Sequence, residues 1–500
     1  MSKWLTKSDY AKFLIHPAYF WISKYARERL PVFDEIGQAK VDEDHAVEAA
    51  AQQLFPDGQL IDVALLRAPK ESAVQMRSGG PEIIFQSSTL TPRYLYARSD
   101  IMVRRGKVWD VYEVKNSASV KAAHLVDLAF QKFVWEENGY AIGKCFLVHV
   151  NASYTRDGSI NPAALLNVVD VTKSIESLRK NTAEKISSAL RVLTMTQQPD
   201  DAPHLAGEWY GYRDIYRHLH PELSPHSIFN LTRLNLDQIK ALAGKNISTI
   251  DRIPSNFTVQ PQQQAQIAVS KHQPPLIDRD KIRNSLSQLQ YPIHFLDYET
   301  FASALPLYDG LRPYQQLPFQ YSLDTIFQPG GALVHTEFLA QGENYPVTAL
   351  LLKLQSDLGT LGSIVVWNKS FEMGCNDWMG VLHPLYQSYL RDVNTRIYDL
   401  MEVFANGWYA HREFMGSASI KKVLPVLIPD LSYKNLAINE GLTAQIRWVR
   451  AARGEVSPVN KAAIYANLLQ YCSQDTLAMV KIYNKLLQLN YEPRQEQPVP

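Results

Sequence analysis

Three short segments, far apart in the chain, each deliver carboxylates at positions that one fold can bring together. The first is Asp297-Tyr298-Glu299-Thr300, at the end of the apolar run Ile293-His294-Phe295-Leu296. The second is Trp367-Asn368-Lys369-Ser370-Phe371-Glu372, after the β-branched run Ile364-Val365-Val366. The third is Tyr471-Cys472-Ser473-Gln474-Asp475. Acids carried out of strand ends to a common point suit hard cations such as Mg²⁺, which take oxygen ligands. Two metals about 3.5–4 Å apart need several shared carboxylates to hold an attacking water and a leaving oxygen in line. Tyr471 and Asp475 share a face if their segment is helical. Each segment alone has an ordinary reading. Asp-x-Glu after a strand is common, and a buried Tyr beside a solvated Asp is usual helix chemistry. In this order and together they point to metal-dependent phosphodiester hydrolysis.

These residues resemble the DEDD 3′–5′ exonucleases, with Asp297 and Glu299 as the first motif, Glu372 in the second, and Tyr471 with Asp475 as the third. The Tyr-x-x-x-Asp spacing is similar to that of the DEDDy branch. The resemblance implies that Asp297, Glu299, Glu372 and Asp475 bind a pair of Mg²⁺ or Mn²⁺ ions, and that Tyr471 orients the attacking water. The second motif departs from the family pattern, which has Asp where this chain has Glu372. The longer arm changes the reach while keeping the oxygen ligands. Asp399 is a reserve acid.

The N-terminal half carries a second constellation. Leu95 to Val103 and Val108 to Lys115 read as two strands of a hairpin, turning at Arg104-Arg105-Gly106-Lys107. In the second strand Glu113 and Lys115 face one side, and Tyr112 and Val114 the other. Asp100 on the facing strand completes two carboxylates and an amine, which resembles the PD-(D/E)XK arrangement. A plain surface strand bearing Glu-x-Lys is the alternative. Ala118 to Glu137 reads as a helix whose Gln131 is similar to the Gln of RecB-type nucleases. Asp44-His45 reads as the opening of a helix running to Leu54-Phe55, and the resemblance makes His45 a metal ligand there. In order, His45, Asp100, Glu113, Lys115 and Gln131 match that pattern, which implies one or two metals on His45, Asp100 and Glu113, with Lys115 as activator and Gln131 as support.

From Leu5 to Leu487 the chain resembles a bacterial family of predicted RecB-like nucleases. That family joins an N-terminal PD-(D/E)XK domain to a C-terminal DEDDy domain of ribonuclease H-like fold. Phe295 to Thr300 and Leu311 to Ser322 carry much of the likeness. Many RecB-like relatives hold an iron–sulfur cluster, which normally takes four Cys thiolates. Here only Cys145, Cys375 and Cys472 are present, and His16-Pro17 stands at the first ligand position, so no cluster is expected. A histidine site from His16, His204, His218 and His220 is the alternative to scattered surface histidines.

Length suggests roughly two to four domains. The expected fold class is α/β. It comprises a restriction-endonuclease-like PD-(D/E)XK domain over 1–200, a small helical bridge over 201–260, a linker and connecting helix over 261–290, a ribonuclease H-like exonuclease domain over 291–488 and a flexible tail over 489–500. Within these, Leu5 to Tyr25 reads as a helix broken near Pro17, Gln260 to Gln266 as a loop or interdomain crossing, and Leu242 to Ile253 as a bridging helical element, with half of a helix–hairpin–helix as the alternative. Hydrophobic residues at 46% and charged residues at 20% suit a globular chain. No apolar stretch has bilayer-spanning length, and the first residues lack a signal-peptide core, so a cytoplasmic protein without a membrane partner is expected. A net charge of +1 argues against coating of nucleic acid. Local basic stretches (Arg98, Arg104, Arg105 and Lys107; Lys421, Lys422, Arg447, Arg450 and Arg453) suit strand guidance or plain solvated faces. The expected partner is DNA, processed in repair, recombination or defence. The alternatives are an RNA target, or one active head with the other as a nucleic-acid-binding platform.

Overall fold

The structure is a computed structural model that describes residues 4–60, 80–271, 274–342 and 344–489. The expected tail falls outside them beyond Leu489. The chain is mixed α/β and divides into two compact units. The first comprises Met1–Leu223, Asn235–Lys240 and Ser303–Gln315, and the second comprises Ser224–Leu234, Ala241–Ala302 and Gln316–Pro500. No helix among the described residues is long and apolar enough to cross a membrane.

In the first unit β1 (Leu5–Thr6) leads into α1 (Lys7–Ile15) and α2 (Pro17–Tyr25). Leu5 and Thr6 are therefore strand, where a helix was expected. Their backbone pairs in parallel with Leu95 and Tyr96, and the Thr6 side chain then caps α1 in a capping box with Asp9. The expected break is real: His16 is extended and Pro17 starts the second helix, where its missing N–H costs nothing. Then come α3 (Glu35–Gln52), β2 (Gln59–Leu60), β3 (Ile83–Leu90), β4 (Leu95–Arg105), β5 (Val108–Lys115), α4 (Ala122–Glu137), β6 (Ile142–Val150), β7 (Leu166–Asp170), α5 (Thr172–Leu193) and α6 (Trp209–Leu219).

The sheet order is β2-β3-β4-β5-β6-β7, with β1 also on β4. β4 and β5 form the expected antiparallel hairpin, turning at Gly106 with a φ of +65°, a conformation that favours glycine. β5 and β6 are parallel, so a crossover is required, and α4 supplies it. One face of the sheet buries Trp109, Val111, Cys145 and Leu147 under Leu128, Phe130, Val134 and Trp135 of α4. The other buries Tyr112, Val148 and Val150 with Val47 and Ala51 of α3. Ala304 joins this second cluster, and the Tyr314 hydroxyl donates to Asn116 Oδ1 at 2.7 Å. Ser303–Gln315 thus packs as part of the first unit, although its sequence lies within 291–488.

The second unit contains α7 (Pro261–Lys271), β8 (Leu276–Ile277), α8 (Arg279–Leu286), β9 (Ile293–Phe301), β10 (Leu317–Ile326), β11 (Leu333–Leu339), α9 (Val347–Leu358), β12 (Ser363–Val366), α10 (Lys369–Leu382), β13 (Ile397–Asp399), β14 (Tyr409–Ala410), α11 (Ile420–Leu427), α12 (Gly441–Ala452) and α13 (Pro458–Gln488). The expected loop over Gln260–Gln266 is mostly helix: Pro261 begins α7, and Gln263 and Gln266 are buried. Over Leu242–Ile253 the alternative of half a helix–hairpin–helix is not formed. A helix ends at Ala243, Thr249 bridges Ser227, and only a single 3₁₀ turn follows at Ile250–Arg252.

The sheet order is β11-β10-β9-β12-β13. The first three strands are antiparallel, and β12 runs parallel to both β9 and β13. α13 crosses this sheet. Gln320 Nε2 donates to Leu468 O at 2.9 Å, Ser322 and Thr476 hydroxyls meet at 2.7 Å, and Tyr483 packs on Phe295. Trp448 of α12 stacks on Phe319 and Phe301, with ring centroids 4.4 and 5.0 Å away. Its indole N–H donates to Ala340 O at 2.9 Å.

Candidate functional site

The acids of the second unit meet where β9 outruns its parallel neighbour. β12 pairs only with Ile293–Phe295, yet β9 continues to Phe301. Asp297 and Glu299 therefore lie inside the strand rather than after it, two residues apart and so on one face. Tyr298, between them, points to the other face and donates to Asn376 Oδ1 at 3.0 Å. α13 brings Tyr471, Cys472 and Asp475 from the other side, with Cys472 Sγ 3.7 Å from Asp297 Oδ2. Ligand atoms of Asp297, Glu299 and Cys472 lie within 4.8 Å of one another. A cavity of about 350 Å³ opens here, lined by Asp297, Glu299, Tyr471, Asp475, Lys421, Trp367, Phe371 and Leu442 among others.

Glu372 occupies the first turn of α10. Asn368 precedes that helix with a φ of +90°, a conformation Asn tolerates better than most residues. Asp399 then caps the helix from outside: Oδ1 accepts from Asn368 N at 3.1 Å and Oδ2 from Lys369 N at 2.9 Å. Asp399 Oδ1 also accepts from Met401 N. The reserve acid is thus committed to holding the helix that carries Glu372. Glu372 is buried behind the cavity lining, accepts from the Tyr298 N–H, and its Oε2 has no hydrogen-bond partner among the described residues.

Burial, then mutual repulsion, pushes Asp297, Glu299 and Glu372 well above the usual carboxylate range. Asp475 is pushed up to about 6 by burial, held back by the Tyr433 hydrogen bond and the Lys421 charge. Lys421 Nζ lies 5.4 Å from the Tyr471 ring centroid and 5.7 Å from that of Tyr433. Buried acids so close cannot all ionise without a cation or shared protons. A bare carboxylate oxygen and an oxygen-rich donor set fit a hard divalent ion. Cys472, a soft thiol pushed up by burial, fits it less well.

In the first unit, Glu113, Lys115 and Gln131 come together as expected. Gln131 Nε2 donates to Glu113 Oε2 at 2.6 Å. Ser99 Oγ donates to Gln131 Oε1 at 2.8 Å, and Trp135 Nε1 to Ser99 Oγ at 2.9 Å. Lys115 Nζ bridges Glu113 at 3.0 Å and Asp127 at 2.7 Å. Asp100 Oδ2 accepts from Val114 N at 2.8 Å. Lys7, which the motif does not include, also donates to Glu113 Oε1. Burial raises Asp100 to about 8, helped by the Glu113 charge. Burial also opposes ionisation of Glu113, but Lys7 and Lys115 outweigh it and hold the group down at about 2.

His45 does not stand at a helix start. α3 begins at Glu35, capped by Asp34, and His45 is exposed in its C-terminal half. One turn further on, Glu48 is the α3 acid whose charge reaches Asp100. His16 is buried: Nδ1 accepts from Ala18 N at 3.0 Å and the ring stacks on Tyr212 at 4.1 Å. His220 lies between Asp201 and Glu222, His204 and His218 are exposed, and no metal-type cluster among the described residues includes these histidines. Of the basic stretches, Arg105 pairs with Asp110, and Arg450 and Arg453 with Glu455. Lys421 is the member that lines the cavity. Sequence reasoning missed Lys7, Glu48, Asp127 and Tyr433. Glu48 and Asp127 were within reach, one turn from His45 and from Gln131; Lys7 and Tyr433 depend on long-range packing.

A family model described as a domain of unknown function (DUF2779) matches residues 294–419. That span contains Asp297, Glu299, Glu372 and Asp399, but neither Tyr471 nor Asp475. The chain is also similar to the uncharacterized protein MG366 homolog of Mycoplasma pneumoniae, at 26% identity over 224 residues, 41% of this chain and 33% of the relative. MG366 of Mycoplasma genitalium is 23% identical over the same shares. The uncharacterized protein UU173 of Ureaplasma parvum is 24% identical over 38% of this chain and 30% of its own length. Each match spans about a third of the relative's length.

Proposed function

We propose that the chain is a metal-dependent nuclease with two nuclease-type domains that hydrolyses DNA phosphodiester bonds, the second unit acting as a 3′–5′ exonuclease. The observation that carries this reading is the convergence of Asp297, Glu299 and Asp475 on one cavity beside Tyr471, with Glu372 buried behind them. Asp297, Glu299, Glu372 and Asp475 would hold Mg²⁺ or Mn²⁺. When bound, such ions lower the pKa of a water and neutralise charge on the phosphate. The chain's own part is to fix these oxygens and to bring the Tyr471 phenol and the Lys421 ammonium to the same cavity. The Tyr471 phenol is pushed up by burial and then by Asp475. It therefore stays protonated and suits a hydrogen bond to the attacking water. Lys421 supplies positive charge toward the phosphate. The three-strand meander extended by two parallel strands, with α13 laid across it, supports a ribonuclease H-like reading of this unit.

The β4–β5 hairpin, the α4 crossover and the Asp100, Glu113, Lys115 and Gln131 cluster support a PD-(D/E)XK reading of the first unit. There Asp100 and Glu113 would hold one or two metals, with Lys115 as activator. A role in repair, recombination or defence, in the cytoplasm, belongs to the same proposal. The reading in which only one head is active is favoured by one observation, the Lys7 ammonium seated on Glu113. Single-stranded DNA and RNA of one sequence, incubated with Mg²⁺ and separately with Asp297→Ala and Glu113→Ala variants, test the proposal. Metal-dependent shortening of DNA from the 3′ end that is lost in Asp297→Ala, with a second cleavage activity lost in Glu113→Ala, supports it; cleavage abolished by one substitution alone leaves a single active head. Degradation of RNA alone would move the target to RNA.

A further inference from the structure

We propose that Lys7 is a tethered cation that stands in for a divalent ion in the acidic cluster of the first unit, so that this cluster takes up metal only when the Lys7 side chain is moved aside. The inference rests on reading Asp100 and Glu113 as metal-binding acids. Lys7 reaches them for a reason visible in the sheet. β5 pairs with β4 only from Ile101 onward, and β1 takes the vacated side of β4 at Leu95 and Tyr96. The first residue after β1 is Lys7, so its side chain leaves the chain beside the end of β5, where Glu113 lies. The start of α1 is fixed by the Thr6–Asp9 capping box, which also fixes the root of the Lys7 side chain.

The contacts leave little room for an ion. Glu113 Oε1 accepts from both Lys7 and Lys115, and Oε2 accepts from Gln131. Asp100 Oδ2 accepts from Val114 N, and the Asp100 charge also faces Lys7. Lys115 has a second anion in Asp127, and Asp9, the acid nearest Lys7 in sequence, pairs with Lys24 instead. The Lys7 charge is therefore directed at the acids of the cluster. An ammonium and a metal ion compete for the same carboxylate oxygens, and the tethered one is always present. The second unit differs: a bare Glu372 oxygen stands behind its cavity, and Lys421 sits over tyrosine rings rather than on a carboxylate.

The test is Mn²⁺ titration of the full chain carrying Asp297→Ala, followed by calorimetry and by the paramagnetic resonance of free Mn²⁺. Adding Lys7→Met is expected to raise an Mn²⁺ affinity that Glu113→Gln abolishes by about 10- to 100-fold. Lys7→Arg, which keeps the charge, should match the parent. Lys7→Gln replaces Lys7→Met if circular dichroism shows that the Met variant is unfolded. Equal Glu113-dependent binding with and without Lys7 overturns the inference and leaves the metal reading standing. No Glu113-dependent binding in any variant overturns both.

Discussion

The Tyr433 hydroxyl donates to Asp475 Oδ1 at 2.5 Å, tying the segment before the third acidic motif to the motif itself. Burial raises Asp475, and this bond holds the rise in check. Tyr433→Phe removes it, so Asp475 titrates higher still. Metal ligands must be deprotonated to bind. The pH at which half of the Mn²⁺ is bound should move upward in the variant, read from affinities measured between about pH 5 and pH 8. An unchanged or downward-shifted midpoint would show that the bond does not tune the site.

The buried acids also set the sign of the stability profile. Asp297, Glu299, Glu372 and Asp475 all titrate above their unfolded values. Such groups contribute stability that is full below the unfolded carboxylate range and is lost as pH rises through the folded values, which for Asp475 means through about 6. In chelator, urea midpoints should therefore fall less toward pH 8 in Asp297→Asn than in the parent. Added Mg²⁺ should restore the parent at pH 8. A parent whose midpoint falls no more toward pH 8 than the variant's would contradict the coupling.

Asp399→Ala removes the acceptor for the N–H groups of Asn368 and Lys369. Loss of such a cap costs about 1 kcal/mol, with a range of 0.5–2, measurable by urea unfolding. Activity should fall as well, since Glu372 rides on the first turn of α10, but by less than in Glu372→Ala. Full activity in Asp399→Ala would separate the cap from the site.

Trp135, Ser99, Gln131 and Glu113 form one buried chain of hydrogen bonds. Ser99→Ala leaves an indole N–H and an amide oxygen unpaired, at a cost of about 1–3 kcal/mol. Stability within about 0.5 kcal/mol of the parent, the ordinary range for surface changes, would mean that the chain is not under load.

Much of this fold and site is legible in the sequence. The strand at Ile293, the strand over Ser363–Val366, the Leu95–Lys115 hairpin and the helix that ends at Glu137 follow from apolar runs and their spacing, because burial of one face imposes a period. Asp297, Glu299, Tyr471 and Asp475 could be grouped because their chemistry is shared. What stayed hidden depended on the fold. Leu5–Thr6 is strand only because Leu95 and Tyr96 offer a free edge. Gln260–Gln266 is polar, yet Gln266 is buried through bonds to Thr232 N and Asn230 O. His45 was placed by its local pattern, ten residues into a helix whose start at Asp34 carries a cap but little apolar signal. Lys7 lies 106 residues from Glu113, and no local rule joins them.

The most direct test of the central claim is a time course on 5′-labelled and on 3′-labelled single-stranded DNA with Mg²⁺, Mn²⁺ or chelator, for the parent, Asp297→Ala and Glu113→Ala. The expected result is a ladder shortening from the 3′ end, dependent on metal, reduced at least about 100-fold in Asp297→Ala and retained in Glu113→Ala. DNA left intact by the parent under every metal, or a ladder undiminished in Asp297→Ala, would contradict the assignment of the second unit as a 3′–5′ exonuclease.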